Sequence, residues 1–270
     1  MKKIAGGKTR SKHGVKKAGG TEVGASNIMD TWWGKTIYVL GLSAFIFAVV
    51  IGVQYLLSLI IVFIFARILP LEALTTPLAN SIYSVISYGL SLLIIVVLPP
   101  ILFKDKIKKI TRERLGFKGL PTWTDVGLAP VGYIVSILVA MGLTAIFNQM
   151  AWFNANEAQE LGYSIYMQGW ERGLAFIMLA VLAPIVEEII FRGWLYGKLR
   201  IKIPKWVAIL ATSFLFGLVH LQWNVGITVF AMSVVNCLLR EVTGTIYAGT
   251  LVHILNNSIA FYLVYVMGMG

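Results

Sequence analysis

At 270 residues, with a mean hydropathy of +0.80, 58% hydrophobic residues and only 13% charged, the chain does not read as one or two soluble domains, in which about a quarter of residues are charged. Its net charge of +11 would suit a nucleic acid, but in so apolar a chain basic loops held at one membrane face and drawn to anionic lipid account for it, so no nucleic-acid partner is expected. The lone cysteine, Cys237, rules out an internal disulfide.

In chain order, residues 1–30 are rich in Gly and Lys and poor in large apolar side chains. They read as a disordered basic cytoplasmic tail without the apolar core of a signal peptide. Apolar runs near the roughly 20 residues that cross a bilayer then follow at 37–66, 81–103, 126–149, 173–195, 205–221, 225–239 and 245–267. The first is long for one crossing, and the fifth and sixth are short. The expected fold is all-α, a polytopic transmembrane helical bundle of about seven spans. Trp32, Trp33, Trp123, Trp152, Trp170, Trp194, Trp206 and Trp223 fall near the ends of these runs, where an indole ring sits in the headgroup layer.

Between the second and third runs, "KDKIKKITRERLGF" (104–117) reads as a basic, partly amphipathic helix on the membrane surface, inside a cytoplasmic loop at 104–118. An N-terminus in the cytoplasm puts 21 of the 23 Lys and Arg on that side and leaves only Arg67 and Arg172 outside, a strong positive-inside bias. The expected location is a multi-pass protein of a prokaryotic plasma membrane. Residues 31–150 carry no chemical motif. No phosphate loop, CxxC pair, GxSxG elbow or short-period repeat is present. The chemistry gathers in 173–267.

That half holds ionisable and polar groups where lipid should be. Glu187, Glu188 and Arg192 lie in the fourth run, His220 closes the fifth, and His253, Asn256 and Asn257 lie in the seventh. Placing a charge in hydrocarbon costs at least ~2.5 kcal/mol, so such groups face a protein interior or a water cavity. Glu187 and His220 are equidistant from the basic connection at 200–204, about 16 residues or ~24 Å of helix each. His253 lies about 12 Å into its own helix by the same measure, with Asn257 one turn further on the same face. The four can meet at one depth. Glu188 precedes Arg192 by four residues, the favoured order for a helical ion pair, whereas Glu187 points about 100° away, toward a cavity. Pro184 loosens the helix just before it.

"EEIIFR" (187–192), "FGLVH" (216–220) and "HILNN" (253–257) resemble the EExxxR, FxxxH and HxxxN motifs of the CPBP intramembrane proteases, a family that includes the type II CAAX prenyl endopeptidases. The three motifs appear in the family's order, one on each of three expected spans. The resemblance implies hydrolysis of a peptide bond in a membrane-associated peptide or lipidated protein, with membrane lipid as the surroundings. Hydrolysis needs an activated water, a proton acceptor and donors for the oxyanion. Glu187 suits the general base, and His220 either orients the same water or assists the proton transfer. His253 and Asn257 suit the oxyanion. Glu188 keeps the site in shape through Arg192, and Phe216 packs beneath His220.

No serine or cysteine with a neighbouring base offers itself as a nucleophile, which favours direct attack by water. Two metal readings stay open. Glu187, His220 and His253 are also a zinc-type ligand set, but the HExxH spacing is absent, so the expectation is either no cofactor or a divalent metal such as zinc. Two other functions compete. A non-proteolytic scaffold for a membrane partner would not need all four polar residues. A transporter often carries internal repeats, and this polar set has no second copy.

Overall fold

A computed structural model describes residues 31–68, 70, 73, 76–97, 112–157, 159, 163–164 and 166–269. The expected tail at 1–30 and residues 104–111 of the basic loop lie outside the described residues. Among those described, every regular element is helical: α1 (Trp32–Phe65), α2 (Pro77–Val97), α3 (Trp123–Phe147), α4 (Gly169–Arg200), α5 (Lys205–Leu218), α6 (Trp223–Thr243) and α7 (Tyr247–Tyr265). Local chemistry sets their starts. Thr31 Oγ1 accepts from Gly34 N at 3.1 Å, and Thr76, followed by Pro77 at the first helical position, accepts from Ala79 N at 3.2 Å. Thr122 and Asp125 form a reciprocal capping box on α3. Gly244, with φ of 71°, ends α6 in the left-handed conformation that glycine adopts freely.

α3 shows which solvent surrounds the bundle. Its buried positions are Asp125, Ala129, Gly132, Ser136 and Ala140, all small or polar. Val131, Ile134, Leu138 and Met141 point outward, with Leu138 62% exposed against 3% for Ser136. A helix in water would turn this pattern around. Small residues inside and large apolar ones outside are the arrangement of helices packed in lipid. α2, α3, α4 and α6 are long and apolar enough to cross a bilayer. α5, with 14 residues, is about 21 Å long and shorter than the ~30 Å hydrocarbon layer. The protein is an all-α integral membrane protein.

α6 is the central helix, packed against α3, α4, α5 and α7, while α2 and α7 flank α4. The α5–α6 hairpin closes through glycine: a Cβ on Gly217 would stand 2.6 Å from the Gly226 carbonyl oxygen. α1 is peripheral and reaches the core through Phe47, whose ring lies 5.0 Å from that of Phe191 on α4. One expectation changes. Trp194 is not an interfacial residue: α4 continues six residues beyond it, and its ring is buried at 6% exposure beneath Lys198 Nζ. The expected surface helix at 104–117 falls mostly outside the described residues; its described end closes as a helix C-terminus does, with Phe117 N bonded to Arg112 O, and Gly116, at φ 86°, accepts from Ile246 N. That ties it to the start of α7.

α4 is not uniform. Ile177–Leu182 and Ile189–Tyr196 are π-helical, on either side of an α-helical turn, Ala183–Glu188. Pro184 explains the first. A proline inside a helix has no N–H and its ring clashes with the carbonyl four residues back. A widened turn relieves the clash, and Ala183 N–H reaches back five residues to Met178 O. The second wide turn begins immediately after the paired glutamates, and the first ends one helical turn before them.

Candidate active site

The adjacent glutamates diverge, as 100° per residue requires. Glu188 is fully buried; its Oε1 accepts from Asn236 Nδ2 at 2.9 Å and His253 Nδ1 at 3.1 Å and is ion-paired with Arg192, whose Nη1 lies 2.9 Å away. These come from α4, α6 and α7, so one oxygen ties three helices together. Arg192 is also fully buried. Its guanidinium carbon lies 4.3 Å from the centre of the Phe216 ring, a cation–π contact strengthened by the absence of water.

Glu187 is partly exposed, and its two oxygens have different neighbours. Oε1 accepts from the Tyr88 hydroxyl at 3.3 Å. Oε2 lies 3.7 Å from His253 Nε2, too far for a direct hydrogen bond. His253, 2% exposed, therefore bridges the pair: its Nδ1 meets the buried glutamate and its Nε2 faces the accessible one.

His220 lies two residues beyond the end of α5. Its Nδ1 is 2.8 Å from Phe216 O, and a carbonyl oxygen only accepts, so Nδ1 carries the proton and Nε2 of the neutral ring is an acceptor. The next residue, Leu221, has φ of 56°, a strained position for a branched side chain. Phe216 joins the parts, its ring set edge-on to His220 at 5.1 Å, His253 at 5.7 Å and Phe191 at 4.8 Å.

Asn257 lies one turn beyond His253 and binds the irregular part of α4. Ala183 N–H is spent on Met178 O, and Pro184 has no N–H, so the Leu179 carbonyl lacks both its usual and its π-helical backbone donor. Asn257 Nδ2 donates to it at 3.0 Å, and Asn256 Nδ2 in turn donates to Asn257 Oδ1.

Glu187, Glu188, Arg192 and His253 thus form one contiguous network. His220 joins it through the Phe216 ring and Asn257 through the α4 backbone. Sequence reasoning missed two members. Asn236, a lone amide within an apolar run, carried a readable signal, since polar residues at membrane depth are rarely idle. Tyr88 carried none, because one tyrosine among the apolar residues of a motif-free span is unremarkable. The zinc set does not assemble: among the described residues no three His, Cys, Asp or Glu side chains gather to hold a metal ion.

An apolar cavity of about 500 Å³ lies between α3, α5 and α6, lined in part by Phe147, Phe214, Trp223 and Phe230 and by Gly217, Leu218 and Leu221 from the turn around His220. No curated protein and no solved structure matches the chain. Residues 169–259, which contain all three polar motifs and both wide turns of α4, match the family described as type II CAAX prenyl endopeptidase Rce1-like. Over that segment the chain is similar to the type II CAAX prenyl endopeptidases, which supports membership of that family of intramembrane proteases.

Proposed function

We propose that the protein cleaves a peptide bond of a membrane-associated, lipid-modified peptide or protein by direct attack of water. Glu187 takes a proton from a water beside its Oε2, and the water oxygen bonds to the scissile carbonyl carbon. His220 accepts a hydrogen bond from that water at Nε2, which keeps a lone pair directed at the carbonyl. The carbonyl oxygen gains the negative charge. His253, protonated at both nitrogens, gives Nδ1–H to Glu188 and Nε2–H to this oxyanion, and the second N–H of Asn257 is left to join it. Glu187 then passes its proton to the leaving nitrogen as the C–N bond breaks. Glu188 and Arg192 touch no reacting atom in this scheme and hold His253 in register.

One observation carries the reading: His253 is clamped at Nδ1 by a buried carboxylate while Nε2 stands 3.7 Å from Glu187 Oε2, so that one water set to the side can touch both atoms. The apolar cavity beside the His220 turn supports a substrate bearing a hydrocarbon chain. Purified protein in lipid nanodiscs is offered matched peptides with and without a prenyl group, in the presence and absence of a chelator. Cleavage of the prenylated peptide by wild type, and none by Glu187→Ala, is the expected result. Equal cleavage by the two proteins would refute the reading, and the chelator arm reports whether an ion joins the chemistry.

A further inference from the structure

The match to the family ends at residues 169–259, yet one group bonded to Glu187 comes from outside it. α2 presents Ser81, Tyr88, Ser91 and Ile95 on one face at helical spacing, and Ser81, Ser91 and Ile95 are buried. This face packs along α4 over the first wide turn and the segment bearing Glu187. Most of its polar side chains are occupied locally. Ser81 Oγ donates to Pro77 O and shares a hydrogen bond with Tyr163, while Ser84 and Ser91 bond carbonyls one turn back. Tyr88 differs. It extends its hydroxyl across the helix interface to Glu187 Oε1.

We infer that Tyr88 is a positioning residue for Glu187, supplied by the N-terminal spans, and that it divides the carboxylate into a held oxygen and a working oxygen. This rests on the reading of Glu187 as the general base. The physical argument concerns a soft torsion. The terminal torsion of a glutamate is broad and roughly two-fold, so an untethered carboxylate turns either oxygen, or neither, toward a bound water. With Oε1 accepting from Tyr88, the plane is set and Oε2 faces His253 Nε2. A bond from outside the motif-bearing segment also makes the geometry of the base depend on how α2 sits against α4.

Tyr88→Phe removes only the hydroxyl and keeps the ring. A hydrogen bond to a charged group commonly accounts for a factor of about 10 or more, and this one is long. The expected outcome is a roughly 10-fold fall in kcat with KM and thermal midpoint unchanged. Tyr83→Phe, on an exposed part of the same helix, should match wild type. Tyr88→Leu, which also loses the ring, should lower kcat and the midpoint together. Wild-type kcat in Tyr88→Phe, with Glu187→Gln inactive in the same assay, would overturn this inference and leave the general base intact. An active Glu187→Gln would remove the base on which the inference rests. A fall in midpoint matching the fall in kcat for Tyr88→Phe would make Tyr88 a packing residue and overturn the inference too.

Discussion

Replacing Arg192 by Met tests whether the buried pair is held as one unit. Arg192 and Glu188 are both fully buried with Nη1 and Oε1 2.9 Å apart, so removing the cation leaves a carboxylate without its counter-charge in a dry interior. Breaking such a pair costs about 3–5 kcal/mol, and the lost stacking on Phe216 adds about 1–2 kcal/mol. Asn236 and His253 remain on Oε1 and recover part of this, for a net loss of about 4 kcal/mol. Glu188→Gln strands the guanidinium instead and costs a similar amount. The double variant strands neither the carboxylate nor the guanidinium, and Gln still accepts at Oε1. It should lose no more than either single variant. Equilibrium unfolding in mixed micelles with increasing dodecyl sulfate, followed by tryptophan fluorescence, reads all four proteins. Losses that simply add would refute the claim that the two charges are coupled.

Other outcomes follow from the same structure. Asn257→Ala should destabilise by about 1 kcal/mol, the cost of a part-buried acceptor left without its donor, and Pro184→Ala should recover part of it by returning a backbone N–H near Leu179. Thermal unfolding of the three variants decides this, and an undiminished loss in the double variant would count against it. Gly217→Ala puts a methyl 2.6 Å from Gly226 O, so α5 and α6 must part. A loss of about 1–3 kcal/mol and a lower kcat through displacement of the His220 turn are expected in unfolding and peptide assays.

Composition and hydropathy were enough to identify a helical membrane bundle, because lipid imposes long uncharged runs that few other environments allow. The polar motifs were legible for the same reason, since each is costly at membrane depth. Other features needed three dimensions. The wide turns of α4 depend on how Pro184, Leu179 and the distant Asn257 settle their backbone bonds, and no periodicity encodes that exchange. Trp194 looked interfacial because its run appeared to stop at 195, while the helix continues through polar residues to Arg200. Tyr88 was silent, since nothing local distinguishes a tyrosine facing lipid from one facing a carboxylate ninety-nine residues away.

The central claim is that Glu187 activates the attacking water, and turnover by Glu187→Gln tests it most directly. Gln keeps the volume and an acceptor for Tyr88 but cannot take a proton. General base catalysis is worth about 10²- to 10⁴-fold. With folding verified by an unchanged unfolding midpoint, and products of a prenylated peptide counted by mass spectrometry, kcat should fall by at least about 100-fold. A Gln variant that turns over within a few-fold of wild type would contradict the account.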